Sequence, residues 1–350
     1  MKRPKKLIGL VAHDMAPCLA FGLLAVALVK KGFGVIPVLL KAGQKSAPDN
    51  WDELLACDSV VIGMSSSPEL AQAETSVANW AKEKKVPFFF YADTFGVYGR
   101  EWFAPFRGLA SGIFVLDYPE EIQAARELFP NALIIPAGNP THLAYFSHPI
   151  TRKEIRRRIG FGTDDFVILV SLCKSQALNF ELLKAVRLGV CMTRNRRRTK
   201  VVFSLHPGDK TWPGGYKKLI EALTCPIITF SFLTQGQATP SELLCGADLV
   251  IGSSPSIDTE AACKKVPSIF FLSEGVCERL QLEVGQPDWP PCRWGASLPA
   301  KEWQDITRYL SDSGKSFKAL LAHQEEVYPA PSTEGGNQSL DLMIEAIARL

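Results

Sequence analysis

The sequence predicts an α/β protein of two doubly wound, Rossmann-like parallel-sheet domains, and three observations predict it. Short apolar runs with strand character alternate with longer helical patterns, which calls for parallel strands covered by helices on both faces. The alternation halts after Gly138-Asn139-Pro140 and restarts near Phe166. A chain of 350 residues also exceeds what one hydrophobic core usually supports, so two domains are expected.

Lys6 to Ala12 reads as the first strand, Ala16 to Lys31 as a helix stopped by Gly32 and Gly34, and Val35 to Leu40 as the second strand. This βαβ opening is followed by a strand at Ser59 to Ile62, a helix at Glu69 to Lys84, and strands at Val86 to Tyr91, Ile113 to Leu116 and Leu133 to Ile135. Thr151 to Ile159 reads as a basic helix carrying Arg152, Arg156, Arg157 and Arg158, and the domain boundary is placed near it. The second series runs through strand Phe166 to Leu172, helix Leu178 to Val190, strand Lys200 to Leu205, helix Tyr216 to Leu223, strand Ile227 to Phe230, helix Ser241 to Gly246 and strand Leu249 to Ile251. Helix Asp258 to Lys265 and strand Ser268 to Leu272 complete it. Gly285 to Pro299, rich in Pro, Trp and Gly, reads as a loop on the surface or over a cleft, and helices at Lys301 to Tyr309 and Ser339 to Leu350 close the chain. The expected division is an N-terminal domain over 1–145, a C-terminal domain over 146–330 and a terminal helix over 331–350. Tandem domains of this kind bring the carboxyl ends of their strands to a cleft, where such folds bind ligands.

Composition narrows the function classes. Hydrophobic residues at 47% and charged residues at 21% match a soluble globular enzyme. A formal charge of +3 is too mild to imply nucleic acid. The nine cysteines, at 18, 57, 173, 191, 225, 245, 263, 277 and 292, form no CxxC pair and read as reduced, buried thiols of a cytoplasmic protein. Lys2, Arg3, Lys5 and Lys6 before an apolar run imitate a signal peptide, but His13 and Asp14 interrupt that run and Cys18 to Val29 is too short to span a bilayer. No transmembrane segment is expected, and peripheral attachment to a membrane stays open.

The segment from Ala247 to Ala262 reads as a buried strand, a small-residue loop and the opening of a helix. Helix-start amides are unpaired and carry the positive end of the dipole, so such a loop lets a phosphate reach them, with Ser253, Ser254 and Ser256 as additional donors. The same residues also serve an ordinary strand-to-helix turn. Upstream, the strand ending at Leu205 delivers His206-Pro207-Gly208, with Lys210 beyond; a histidine there either donates to a phosphate and exchanges protons, or caps a neighbouring carbonyl.

His206-Pro207, Gly252-Ser253-Ser254 and Thr259-Glu260-Ala261 together resemble the donor half of the two-domain GT-B glycosyltransferases and UDP-N-acetylglucosamine 2-epimerases. The resemblance implies a GT-B-like arrangement in which Ser253, Ser254, Ser256 and Thr259 belong to the donor-binding loop, Glu260 holds the ribose hydroxyls and His206 touches a phosphate oxygen or sugar. Without that resemblance Glu260 is an acid stabilised by the helix dipole. The chain departs from the epimerases at Tyr91-Ala92-Asp93-Thr94-Phe95-Gly96, where they carry a His-x-Glu-Ala-Gly pattern.

In the first domain His13, Asp14 and Asp93 follow strands and are expected at the ligand-binding end. His13 resembles in position the N-terminal base of many GT-B enzymes; His13-Asp14 also reads as a local hydrogen-bonded pair capping the next helix, and Asp93 as a bend. Arg100 and Arg107 flank Tyr98, Trp102, Phe103 and Phe106, either an acceptor-binding wall or core packing. The cluster Arg194, Arg196, Arg197, Arg198 and Lys200 reads as a solvated face or a site for an acidic partner.

No Asp-x-Asp, metal-ligand spacing, GxGxxG or Walker sequence occurs, so neither cofactor nor tightly held metal is expected. The leading expectation is a metal-independent glycosyltransferase with catalytic candidates His13, Asp93 and His206 and substrate-binding candidates Ser253, Ser254, Ser256, Thr259, Glu260 and Lys210. Its expected partners are a nucleotide sugar of UDP or CMP type and an unidentified acceptor, in a monomer or homodimer without nucleic acid. The alternatives are a nucleotide-sugar 2-epimerase and a catalytically inactive nucleotide-binding scaffold.

Overall fold

The computed structural model describes residues 5–40, 51–146, 149–193, 198–206, 216, 228–232, 238–331 and 337–349. The chain divides into two compact units: Met1–Leu143 with Gln281–Gln286 and Ser332–Leu350, and Ala144–Leu280 with Pro287–Pro331. Each contains a six-stranded sheet whose strand pairs are all parallel.

In the first unit β1 (Leu7–Ala12), β2 (Gly34–Leu39), β3 (Ser59–Gly63), β4 (Phe88–Tyr91), β5 (Gly112–Phe114) and β6 (Leu133–Ile135) lie in the order β2-β1-β3-β4-β5-β6. Strand order reverses between β1 and β3, the switch point beside which doubly wound sheets bind ligands. The helix Met15–Lys30 is apolar along its length and buries Phe21, Leu24 and Leu28 in one core with Ile8, Leu10 and the Ile344 and Ile347 side chains of the terminal helix Gln338–Arg349. That helix is therefore part of the first unit's core.

In the second unit β7 (Phe166–Ser171), β8 (Thr199–Ser204), β9 (Ile228–Phe232), β10 (Leu249–Gly252), β11 (Ser268–Phe271) and β12 (Leu298–Ala300) lie in the order β12-β11-β10-β7-β8-β9. Its switch point falls between β7 and β10. The basic helix, Arg152–Arg158, begins at an N-cap Thr151 that accepts from Glu154 N. Three of its four arginines serve the fold: Arg156 is buried and donates to Gly246 O, Asp165 O and the Asp248 carboxylate, which Arg152 also engages, while Arg158 pairs with Glu242 at 2.7 Å.

Within the segment expected as a loop over 285–299, which is irregular over 285–289 and 294–297, the part around Trp289 is pinned into the second unit. Trp289 is fully buried, stacks on Phe270 with ring centroids 5.3 Å apart and donates through Nε1 to the Asp258 carboxylate at 2.6 Å; a short helix, Pro290–Arg293, follows. Pro and Trp there supply a rigid turn and a core plug. The helices Pro119–Leu128 and Ser313–Val327 and the strand β12 are additional to the elements expected from sequence. Most of the expected helix Tyr216 to Leu223 lies outside the described residues, as do Pro207, Gly208, Lys210, Arg194, Arg196 and Arg197. Of the remaining basic cluster, Arg198 pairs with Asp165 at 3.2 Å and Lys200 donates to Thr229 Oγ1 at 2.9 Å.

Candidate active site

Close strand pairing builds the second unit's site. Gly252, the last residue of β10, lies opposite Ser171, the last of β7. A Cβ on Gly252 would stand 3.0 Å from Ser171 O and 3.2 Å from Ser171 Cβ, tighter than an ordinary contact, so glycine suits the close approach of the two strand ends. Beyond Gly252 the chain passes through Ser253 and the N-cap Ser254 into a helix at Pro255–Cys263. The helix begins three residues earlier than expected, because proline at its first position has the right φ and lacks only an amide that would be unpaired there. Asp258 is consequently the acid of the first turn and Glu260 lies in the second.

Ser253 is buried, and its hydroxyl has no hydrogen-bond partner among the described residues. A buried hydroxyl without a partner is costly, which marks this position as one that a ligand group would satisfy. The Ser254 side chain makes no capping bond, which leaves the helix-start amides without a side-chain acceptor from that residue. Ser254 is half-buried and Ser256 exposed. Arg279 Nη2 donates to Ser253 O at 2.6 Å, bringing positive charge to the same loop.

Across the switch point, the loop after β7 is clamped by a residue that sequence reasoning missed. Asn179 is fully buried; its Oδ1 accepts from Cys173 N at 2.8 Å, and its Nδ2 donates to Cys173 O at 2.9 Å and Tyr216 Oη at 3.0 Å. The only sequence signal for it is an amide on the apolar face of a helix.

Glu260 is buried, accepts from Ser241 Oγ at 2.8 Å and lies 3.7 Å from Lys264 Nζ. Thr259 is buried beside it. Asp258 accepts from Trp289 Nε1 and from Ser297 Oγ at 2.8 Å, and burial raises its carboxyl to about 6 against those hydrogen bonds. His206, half-buried, follows β8, the neighbour of β7, and so stands one strand away from the switch point.

The first unit repeats the device. Gly63 ends β3 beside β1, and a Cβ there would meet Glu74 Oε1 at 2.7 Å and Ala12 Cβ at 3.1 Å. Glu74 is fully buried; Oε1 accepts from Ser65 Oγ at 2.9 Å and His13 N at 3.3 Å, and Oε2 accepts from Ser65 N at 2.9 Å. Loss of hydration lifts its carboxyl to about 8 despite these bonds. Asp14 N donates to Ser65 Oγ at 3.0 Å, and Asp14 Oδ2 accepts from Ser66 N at 2.6 Å, so the loops after β1 and β3 are tied together. The expected His13-Asp14 capping pair is replaced by this cross-strand pairing, since Asp14 makes no side-chain cap.

His13 Nδ1 lies 2.8 Å from Leu70 O, while Nε2 is buried without a hydrogen-bond partner among the described residues. A proton on Nδ1 satisfies the carbonyl and leaves Nε2 as the free acceptor, the arrangement of a base. Asp93 is half-buried; desolvation raises its carboxyl to about 6 against the pull of Arg100. Arg100 is buried, donates to Met64 O and, through Nε at 3.0 Å, to Glu283 O, and sits in the field of Asp93, Asp14, Glu283 and Glu74. Trp102 Nε1 donates to Ser65 O at 3.1 Å, whereas Phe103 and Phe106 pack on Phe90 in the core. His13, expected at the ligand-binding end, follows β1 beside this switch point, whereas Glu74 and Ser65, at polar positions without a motif, were not singled out from the sequence.

Among the described residues no cluster of three or more His, Cys, Asp or Glu side chains is arranged to hold a metal ion. No helix of the described residues is long and apolar enough to cross a membrane.

No model of a known protein family matches the chain, and no curated protein matches it. Solved structures do. The UDP-GlcNAc 2-epimerase from Neisseria meningitidis, bound to UDP-GlcNAc, is similar over 98% of this chain and 100% of its own, with a TM-score of 0.65 and 12% identity. HepE from Anabaena, in complex with UDP and glucose, is similar over 99% and 100%, with a TM-score of 0.57 and 11% identity. The wall teichoic acid polymerase TagF, soaked with CDPG, is similar over 98% and 88%, with a TM-score of 0.54 and 12% identity. The chain therefore has the GT-B fold of the UDP-GlcNAc 2-epimerases.

Proposed function

We propose that this protein is a metal-independent glycosyltransferase that binds a nucleotide-activated sugar on its second unit and transfers the sugar to an acceptor held by its first. The observation that carries the reading is the buried Ser253 hydroxyl at the switch point, unpartnered among the described residues and set at the start of a helix, where unpaired amides favour an anion. The similar proteins include one bound to UDP-GlcNAc and one bound to UDP and glucose, which supports a nucleotide-sugar donor.

In this reading the donor diphosphate lies against the amides of Ser256 and Ile257 and the hydroxyls of Ser253 and Ser254, with His206 donating to a phosphate oxygen. Ser256 and Thr259 complete the donor contacts, and Glu260 turns from Ser241 to the ribose hydroxyls. These donors stabilise the negative charge that develops on the leaving diphosphate. His13 Nε2 takes the proton of the acceptor hydroxyl as its oxygen bonds to the anomeric carbon and the bond from that carbon to phosphate breaks. Asp93 and Arg100 orient the acceptor.

A second reading, 2-epimerisation of the same donor, is favoured by a specific observation. Glu74 and Asp93 are carboxyls raised to about 8 and about 6, a pair able to hold and release protons near neutral pH. Two assays separate the readings. A thermal-shift screen against UDP, CMP, CDP, GDP and TDP, repeated with Ser253→Ala and Glu260→Ala, tests the donor site; no shift from any nucleotide would overturn both readings. Incubation with the matching nucleotide sugar alone then decides: strict dependence on an added acceptor supports transfer, and a sugar inverted at C2 without acceptor supports epimerisation.

A further inference from the structure

The helix Met15–Lys30 presents a second face that the sheet does not use. Met15 is 69% exposed, Leu19 60%, Leu23 43%, Val26 57% and Val29 59%. At 100° per residue these five side chains fall within an arc of about 120° and form one stripe about 21 Å long. The opposite face, with Phe21, Leu24 and Leu28, is already in the core, so the stripe is surplus to folding. Soluble proteins place charge on such a face. Here no charged residue occurs from Met15 through Val29.

Charge gathers where the stripe ends. Lys30 and Lys31 close the helix, and Lys5 is tied to the same corner by the hydrogen bond its backbone N–H donates to Gly32 O at 3.1 Å. Lys5, Lys30 and Lys31 are exposed. Lys6 lies beside them, its Nζ donating to Ala348 O, and Asp341 and Glu345 line the adjoining groove with Lys5, Lys6 and Lys31. Glu345 is within 3.6 Å of Arg349. At this corner the cations Lys5, Lys6, Lys30, Lys31 and Arg349 outnumber the acids Asp341 and Glu345.

We propose that this stripe and its basic corner form a membrane-docking surface that lies flat in the interface of an anionic lipid bilayer. An uncharged aliphatic face bordered by lysines is the arrangement of an interfacial helix, in which side chains enter the acyl boundary and cations meet lipid phosphates. The dimensions favour a bilayer over a second copy of the chain. A face about 21 Å long and about 10 Å wide projects roughly 210 Å², well below the about 800 Å² per partner that a stable protein interface needs.

Flotation of the protein with phosphatidylcholine vesicles, with and without phosphatidylglycerol, tests this, alongside light scattering to read the oligomeric state. The wild type is expected to float with the phosphatidylglycerol vesicles and to be released by high salt. Leu19→Glu with Val26→Glu is expected to lower vesicle binding about tenfold or more at unchanged circular dichroism. Lys30→Glu with Lys31→Glu should abolish the preference for anionic lipid. Absence of vesicle binding by the wild type would overturn the proposal, as would binding that survives the Leu19 and Val26 substitutions. A wild-type dimer that those substitutions convert to monomer, without vesicle binding, would reassign the face to self-association.

Discussion

At the residue scale, the two switch points pose opposite problems of polar burial. In the first unit Glu74 is over-supplied with donors yet kept from water, and its carboxyl is lifted from 4.5 to about 8. The folded state therefore holds a proton that the unfolded chain releases above about 4.5. Because the native state binds more protons, stability falls as pH rises from about 4.5 to about 8 and levels off beyond. Asp93 and Asp258, each raised to about 6, act in the lower part of this range, so the window from 6 to 8 belongs to Glu74. Melting temperatures of the wild type are expected to decline across pH 6 to 8, and those of Glu74→Gln to be flat there; a wild-type profile without decline would refute the assignment. In the second unit Ser253 has the reverse problem, a buried hydroxyl with nothing to bond among the described residues. Ser253→Ala is expected to leave the unliganded protein as stable or slightly more so, and to weaken nucleotide binding about fivefold to tenfold, the loss of one hydrogen bond of roughly 1 kcal/mol, as read by titration calorimetry.

At the scale of elements, each site depends on how closely strands and loops are held. Gly252→Ala places a methyl 3.0 Å from Ser171 O, a backbone atom that moves only if β7 and β10 part. Unfolding in denaturant is expected to show a cost of about 1–3 kcal/mol. Asn179→Ala removes the clamp on the loop after β7, leaving the Cys173 amide and carbonyl without it, and is expected to cost about 1–3 kcal/mol and to weaken nucleotide binding. Trp289→Ala empties the plug stacked on Phe270 and takes the Nε1 donor from Asp258, for a loss of about 3–5 kcal/mol. The elements also show where sequence patterns are legible. Strands β1, β7 and β10 are continuous apolar runs because both faces of a parallel sheet are covered, and they stand within a residue or two of where periodicity places them. The 285–299 segment is largely the irregular stretch its Pro, Trp and Gly predict, but the burial of Trp289 was not legible because it depends on Asp258 and Phe270 far away in sequence.

At the scale of the whole molecule, the two units share one design: six parallel strands, a reversal of order beside the first strand, and a glycine at the end of the strand across that reversal. A cognate nucleotide at a hundred times its dissociation constant is expected to stabilise the unit that binds it by about 2.7 kcal/mol, seen as a rise in melting temperature that Ser253→Ala reduces. The thiols provide a further check on the fold. Burial pushes Cys18, Cys57 and Cys263 up to about 12, so labelling of the native protein at neutral pH should be slow at these positions and fast after unfolding.

By itself the sequence determined the architecture: alternating apolar runs and helical periods dictate two parallel sheets, and the small residues after β10 together with His206-Pro207 carry the resemblance to nucleotide-sugar enzymes. Those signals are local, because backbone periodicity, turn chemistry and helix capping act over a few residues. Tertiary structure alone decided which polar groups are satisfied. Glu74 meets Ser65 and His13, Asn179 meets Cys173, and Asp258 meets Trp289, while Ser253 Oγ and His13 Nε2 are left without partners among the described residues. Hydrogen bonding and desolvation depend on which strand ends the fold brings together, and that adjacency is set by the packing of the sheet rather than by spacing along the chain.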